Sequence, residues 1–293
     1  MRAFELKSHE FDAPNPGVSV AQGGGTLEAA LRRALREGEL GMAFQPLVAV
    51  AGGATTGFEA LLRWRRPGFG EHAAGSFVAA AEGLPAFDEV GAWALVEAAR
   101  VAATWPARLR VAVNLSPAQL RSPKLAATVR GIVDEGRLDP RRLELEIVKS
   151  ALIDDFAAVA ISLNALRSYG VTVALDDFGG DGFSIQALAH LPLDRLKIDR
   201  TFVVEAMVNP RCAAVIRAAA RIAKELGIAL TGEGVESCEQ FELLRSVGCD
   251  ETQGYFHSRP LPEGDLAGVF ERTTGGCNAP SECRLCLRYA SRR

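Results

Sequence analysis

Lysine is scarce in this chain, with 5 residues against 28 arginines among 293. Basic and acidic side chains nearly cancel, 33 against 36, for a net charge of −3. Non-specific DNA binding rests on a surplus of Lys and Arg facing phosphates, so the chain is not expected to bind DNA. No stretch approaches the roughly 18 uninterrupted apolar residues that a membrane span requires. The opening MRAFELKSHEFD carries charges where a signal peptide needs an apolar core. The reading is a soluble, cytoplasmic protein without a membrane partner. Four histidines (His9, His72, His190, His257) lack metal-ligand spacing, which argues against a His-built zinc centre. No G-x-G-x-x-G or Walker pattern opens a helix, so the phosphate loop of a doubly wound nucleotide-binding sheet is missing.

With 48% hydrophobic and 24% charged residues, the composition is that of an ordinary globular protein, which excludes disorder and collagen-like fibre. Residues 1–25 end in three glycines without sustained periodicity and read as a flexible lead. Residues 26–272 read as one folded domain, and residues 273–293 as an Arg-rich tail with Cys277, Cys283 and Cys286. Three thiolates with a borrowed fourth ligand would suit zinc, although free thiols are the simpler expectation in a tail.

Eight short apolar runs read as strands: 42–50, 57–64, 109–116, 143–148, 171–178, 195–203, 228–236 and 251–256. Between most of them lie amphipathic segments such as FDEVGAWALVEAARVAA and CAAVIRAAARIAKELG, several stopping at glycine. This alternation predicts an α/β fold of the (β/α)8 TIM-barrel type, in preference to an open doubly wound sheet. Only AGGATT separates the first two runs, too short for a helical crossover. They should form a hairpin, so one barrel strand should be antiparallel.

Barrel enzymes carry their chemistry at the C-terminal ends of the strands. Glu59, Asn114, Glu146, Asp176, Asp177, Lys197, Glu233, Glu236 and Gln253 all lie within or at the end of predicted strands. Clustered carboxylates lose hydration on burial, and Lys197 with Arg63 cannot offset six of them. Hard divalent cations would, and an all-oxygen donor set of Asp, Glu and Asn suits Mg²⁺ or Mn²⁺. Two such ions roughly 3.5–4 Å apart stabilise the attacking and leaving oxygens of phosphate-ester hydrolysis. Lys197 is then placed to hydrogen-bond a nucleophilic water or a phosphate oxygen.

Each residue also has a plainer reading. A single strand acid is more often salt-bridged than a ligand. Glu144 shares strand parity with Glu146, so alternation does not separate them. Asn114 would serve as a cap for the segment at Ser116-Pro117, Gln45 as a satisfied core amide, and Asp199 as support for a strand end or helix start. Asp177-Phe178-Gly179 copies the kinase metal-binding tripeptide without the kinase catalytic loop. Gly179–Phe183 lies one letter from the GGDEF signature of diguanylate cyclases, but directly follows an Asp-Asp strand end.

FQPLV, FEALLRW (58–64), VNLS (113–116), LELEI (143–147), LDDFG (175–179), LPLDRLKIDRTFV (191–203), GEGVES (232–237) and QGYFHSRPLP (253–262) occur in this order. Over residues 27–270 the chain resembles the EAL-domain family of cyclic di-GMP phosphodiesterases, whose namesake triplet is Glu59-Ala60-Leu61. The resemblance implies hydrolysis of cyclic di-GMP to linear pGpG with two Mg²⁺ or Mn²⁺ ions. It makes Glu59, Asn114, Glu146, Asp176, Asp177 and Glu233 metal ligands. Lys197 would orient the water, Glu236 would support the site from behind the ligands, and Gln253 would lie beside water and metals. Gln45, Leu61 and Arg63 would contact the dinucleotide, with Arg63 on a phosphate. A homodimer and a signalling partner protein are also implied.

The departures are local. DDFGGDGFSI stands where the family reads DDFGTGYSSL, Val148-Lys149 where it reads Thr-Glu, and AEGLP (81–85) where it tends toward AEETG. In the family that glutamate anchors the loop after the Asp pair, and loss of the anchor accompanies weak catalysis. A Lys149–Asp181 pair would restore an anchor with reversed polarity. Three readings follow: an active phosphodiesterase, a receptor that binds cyclic di-GMP with little turnover, and an interaction module that binds no nucleotide. The retained acid cluster disfavours the last.

Overall fold

Thr26 accepts a hydrogen bond from the Ala29 amide and starts the first helix, Leu27–Glu37, which Gly38 ends in a left-handed turn. The computed structural model describes residues 26–148, 151, 156–179 and 185–270. The N-terminal lead, the cysteine tail, Lys149 and the altered segment 180–184 lie outside the described residues, and with them the Lys149–Asp181 pair.

Ten strands follow in chain order: β1 (Leu40–Ala49), β2 (Thr55–Arg66), β3 (Gly70–Ala73), β4 (Arg110–Leu115), β5 (Leu143–Val148), β6 (Thr172–Phe178), β7 (Arg195–Ile198), β8 (Ala229–Gly232), β9 (Glu251–Thr252) and β10 (Leu261–Pro262). Eight of them close a barrel in the order β1-β2-β4-β5-β6-β7-β8-β9, with β9 returning to β1. β1 runs antiparallel to both neighbours, while β2 and β4 to β9 pair in parallel. The fold is therefore the α/β barrel with one antiparallel strand that the short AGGATT connection requires. β3 extends β2, and β10 pairs with β1 outside the closed ring.

The last three predicted strands overrun their observed ends, and local hydrogen bonding explains the difference. The run 195–203 is strand only to Ile198, because the Asp199 carboxylate accepts the Thr201 amide at 2.6 Å and caps the helix Arg200–Glu205. The runs 228–236 and 251–256 stop at Gly232 and Thr252, although Val235 N–H still donates to Gln253 C=O at 2.9 Å. These early stops turn Glu233, Glu236 and Gln253 into loop residues at the C-terminal mouth.

Helices Pro85–Ala102, Pro123–Asp134, Phe156–Arg167, Pro210–Leu226 and Cys238–Val247 coincide with the predicted amphipathic segments. They cover the outward strand faces, where Leu143, Leu145, Ile147, Val173, Leu175 and Leu196 are completely buried. Each such side chain contributes about 1.5–3 kcal/mol by leaving water. No helix among the described residues is long and apolar enough to cross a membrane.

The barrel interior is polar where the outside is apolar, as alternation along each strand demands. Glu144, Arg195, Glu251 and Arg110 form a closed ring near the strand starts. Arg110 bridges Glu144 at 3.2 Å and Glu251 at 2.7 Å, and Arg195 bridges Glu144 at 2.9 Å and Glu251 at 2.8 Å. Two cations and two anions balance, so this layer carries no net charge and attracts no further ion. Glu144 thus shares the parity of Glu146 but is fully engaged by arginines one layer deeper.

Candidate functional site

Two residues further along the same strands, the balance is lost. Lys197 on β7 lies above Arg195, and Glu146 on β5 lies above Glu144. The Lys197 ammonium, 1% exposed, sits 2.8 Å from Glu146, 2.6 Å from Glu233, and 3.8 Å from both Glu59 and Asp176. Glu59 is itself clamped: Asn114 Nδ2 and Gln253 Nε2 each donate to one of its oxygens at 2.6 Å. Gln253 Nε2 also donates to Gln45 Oε1 at 3.0 Å, and Gln45 Nε2 donates to the Ser258 carbonyl. Six strands and two loops thereby converge on one cluster.

Asp176 and Asp177 would face opposite sides of a regular strand. They do not, because the β6–β7 register slips between Leu175 and Phe178 and Asp177 adopts φ 57°, the one described non-glycine residue with positive φ. Strain of this kind costs on the order of 1–3 kcal/mol and persists where the surroundings enforce it. Its effect here is to bring oxygens of Asp176, Asp177 and Glu233 within 4.8 Å of one another. The Asp177 amide donates to Asp176 Oδ1 at 2.9 Å, which fixes the first carboxylate.

The electrostatics report a deficit of positive charge. Five carboxylates (Glu59, Glu146, Asp176, Asp177 and Glu233) face one ammonium, so the fully ionised cluster carries four surplus negative charges. Burial pushes the Glu146 carboxyl well above its ordinary range, Lys197 opposes the rise, and Glu59 and Asp176 add to it. Burial and Asp176 raise Glu233 in the same direction. Glu59 is held below its ordinary value because Lys197, Gln253 and Asn114 outweigh its desolvation. For Lys197, desolvation is overcome by Asp176, Glu146, Glu233 and Glu59, so it stays an ammonium. Glu146 Oε2 and Gln253 Oε1 are sealed from solvent without a hydrogen bond, while Glu146 Oε1 faces the Lys197 ammonium at 2.8 Å. An all-oxygen donor set with unsatisfied acceptors and four excess charges fits two hard divalent cations.

The cluster floors a cleft of about 240 Å³ lined also by Arg200, Glu236 and Tyr255. Of the residues predicted from sequence, Gln45, Glu59, Asn114, Glu146, Asp176, Asp177, Lys197, Glu233 and Gln253 come together. Leu61 and Asn114 border a neighbouring apolar pocket of about 270 Å³, and Arg63 donates to the Leu62 carbonyl rather than lining the acid cleft. Glu236 lines the same cleft, and its carboxylate pairs with Arg200 at 2.8 Å. Asn114 is not a helix cap, a role taken by Ser116, whose hydroxyl accepts the Gln119 amide. Sequence reasoning missed Arg200, Arg195, Glu251 and Arg110. The signal was present for two of these, since Arg195 and Glu251 stand two residues before Lys197 and Gln253 and so share their inward parity.

Gly254 holds Gln253 in place by what it lacks. A Cβ at Gly254 would lie 2.1 Å from the Val235 carbonyl oxygen, so only glycine lets the two segments approach and keeps Gln253 over Glu59.

The family model of the EAL domain matches residues 28–260. A Sinorhizobium fredii protein, "Uncharacterized protein y4lL", is 40% identical over 236 residues, 80% of this chain and 28% of its own length. The cyclic di-GMP phosphodiesterase NbdA of Pseudomonas aeruginosa is 36% identical over 240 residues, 80% of this chain and 31% of its own. The chain thus spans less than a third of either curated relative. The solved structure of the PaMucR phosphodiesterase in its c-di-GMP complex superposes with a TM-score of 0.77 at 35% identity, covering 81% of this chain and 98% of that one.

Proposed function

Because this chain belongs to the EAL-domain family over residues 28–260, we propose that it is a cyclic di-GMP phosphodiesterase dependent on two divalent cations, Mg²⁺ or Mn²⁺. The observation that carries the reading is the cluster of five carboxylates around Lys197, two of them buried and three half-buried, four charges short of neutrality when fully ionised. Asp176, Asp177 and Glu233, together with Glu59, Glu146 and Asn114, would hold the cations. When bound, they supply charge neutralisation and Lewis acidity at the reacting phosphodiester.

The chain's own residues account for the rest. A water oxygen bonds to phosphorus on one phosphodiester, that phosphorus loses one ester oxygen, and the ring opens to linear pGpG. Lys197, held as an ammonium between Glu146 and Glu233, only donates hydrogen bonds and therefore orients the water or a phosphate oxygen rather than accepting a proton. Gln253 and Asn114 keep Glu59 aimed into the cluster. Leu61 and Arg63 on β2 serve the dinucleotide beside the cluster, Arg63 as a phosphate contact. A homodimer and a signalling partner protein belong to the same reading.

The test is hydrolysis of cyclic di-GMP with Mg²⁺ and with Mn²⁺, followed by product separation beside a Glu59→Ala control. Linear pGpG formed only by the intact chain supports the enzyme. A second reading, a receptor with little turnover, is favoured by Lys149 standing where the family carries its loop-anchoring glutamate. Binding in Ca²⁺ without hydrolysis in Mg²⁺ or Mn²⁺ selects it.

A further inference from the structure

Strand β9 ends at Thr252, and the chain turns back on itself at once. The Thr252 hydroxyl and His257 Nε2 share a hydrogen bond of 2.9 Å, and the His257 and Ser258 amides both donate to the Gly254 carbonyl. Thr252 and His257 are both buried. Alternation sends Glu251 and Gln253 into the barrel and Thr252 to its outer face, where the imidazole meets it. There His257 packs edge-on against Phe241 and Phe256, with ring centroids 6.0 and 5.1 Å away. Phe241 belongs to the helix Cys238–Val247, so the imidazole bridges β9 and that helix. Burial pulls its pKa down to about 4, which leaves the ring neutral at pH 7.

Gln253 lies inside the segment that this bond closes. Its N–H donates to the Gly232 carbonyl and its C=O accepts the Val235 amide, each at 2.9 Å. Its side chain donates to Glu59 at 2.6 Å and to Gln45 at 3.0 Å. The far end of the same segment supplies the Ser258 carbonyl, which accepts Gln45 Nε2 at 3.2 Å. One turn thus presents Gln253 to the acid cluster and also carries the acceptor that orients its neighbour. An apolar ring would fill the same space between Phe241 and Phe256. What the imidazole adds is a directional bond, which fixes where the turn closes, whereas packing alone only fills volume. That precision matters at a reacting site, where a displacement of about 1 Å can cost about 10²-fold in rate. We propose that His257 is a positioning residue for the reaction, its bond to Thr252 fixing the turn that holds Gln253 over Glu59. This role rests on the phosphodiesterase reading and extends the site to the outer face of β9.

The experiment compares wild type with Thr252→Val, Thr252→Ser, His257→Leu and His257→Gln in the full chain, after thermal midpoints establish folding. Thr252→Val and His257→Leu should each lower kcat for cyclic di-GMP about five- to tenfold, the worth of one well-placed hydrogen bond. Thr252→Ser and His257→Gln, which keep a group to bond, should recover most of that loss. In a Gln253→Ala background neither Thr252→Val nor His257→Leu should lower kcat further, because the effect runs through Gln253. Losses that add in that background would overturn the proposal, as would wild-type kcat in both Thr252→Val and His257→Leu. The metal-free chain gives a readout independent of turnover, the side-chain amide signals of Gln253 in a nitrogen-15 NMR spectrum, assigned by their loss in Gln253→Ala. They should move in Thr252→Val and His257→Leu and return in Thr252→Ser and His257→Gln. If wild type does not hydrolyse cyclic di-GMP, the phosphodiesterase reading fails separately. These signals then decide the coupling: movement supports the hold of His257 on Gln253, and unmoved signals overturn it.

Discussion

Lys197 and Glu146 stand on strands that are not neighbours, β7 and β5, yet their charged ends meet 2.8 Å apart inside the barrel. Both are essentially inaccessible to solvent, at 1% and 0%. A buried pair of this kind contributes little net stability, because desolvation of both charges offsets their attraction. Its position among four further carboxylates points to chemistry instead.

Replacing Lys197 by Met removes the ammonium that faces the clustered carboxylates and, with it, the donor that the proposed mechanism gives to the water or a phosphate oxygen. kcat for cyclic di-GMP should fall by at least about 10²-fold, the usual effect of losing a pre-placed donor to developing charge. Circular dichroism in Mg²⁺ should show the fold retained. A kcat within tenfold of wild type would remove Lys197 from the mechanism.

The raised carboxyls of Glu146 and Glu233 make the metal-free protein sensitive to alkali. A group whose folded pKa exceeds its unfolded value contributes stability at low pH, and this is lost as pH rises from about 4.5 toward the folded value. The metal-free thermal midpoint should therefore decline between pH 5 and pH 8, and Mg²⁺ or Mn²⁺ should raise it more at pH 8 than at pH 5. Asp177→Asn should weaken that cation effect about tenfold in midpoint concentration. An equal cation shift at both pH values would contradict the account.

The deeper ring responds in the opposite direction. Burial would raise the Glu251 carboxyl, but Arg110 and Arg195 outweigh it and bring it down to about 2. Its stabilisation is present above an unfolded value of 4.5 and is lost as pH falls from there toward about 2. Glu251→Gln should flatten acid unfolding in that window, a difference of about 3 kcal/mol for a shift of this size. Arg110→Met, which leaves Glu144 and Glu251 sharing Arg195 with one buried negative charge uncompensated, should cost about 3–5 kcal/mol in urea unfolding at pH 7.

Gly254→Ala tests how closely the mouth is packed. Its Cβ cannot coexist with the Val235 carbonyl at 2.1 Å, so the loop after β9 must shift and carry Gln253 off Glu59. A loss of about 1–3 kcal/mol in stability is expected, with a fall in kcat larger than that of Gln253→Ala. Wild-type stability and kcat in this variant would show that the segments separate freely.

Much of this protein is legible in its sequence. Short apolar runs between amphipathic segments identify the eight barrel strands, and the six-residue AGGATT connection dictates the antiparallel β1, since no helical crossover fits in that length. The residue types were equally visible, because carboxylates after Val-Thr-Val-Ala-Leu or Leu-Glu-Leu require compensation wherever they lie. Strand ends were less legible: Asp199 caps a helix through a hydrogen bond to Thr201, which ended β7 before the apolar run did.

Tertiary structure alone decided which inward residue belongs to which layer. Glu144 and Glu146 have the same parity, but closure of the barrel places Arg110 and Arg195 against the first and Lys197 against the second, so one is neutralised and the other left in deficit. Alternation also separates Asp176 from Asp177. Only the slipped register of β6 and the left-handed backbone at Asp177 bring both to Glu233. Arg200 reaches the cleft because Gly234, distant in sequence, leaves room for its stem. Parity is a property of one strand, whereas charge balance is set by which strands face each other across the barrel.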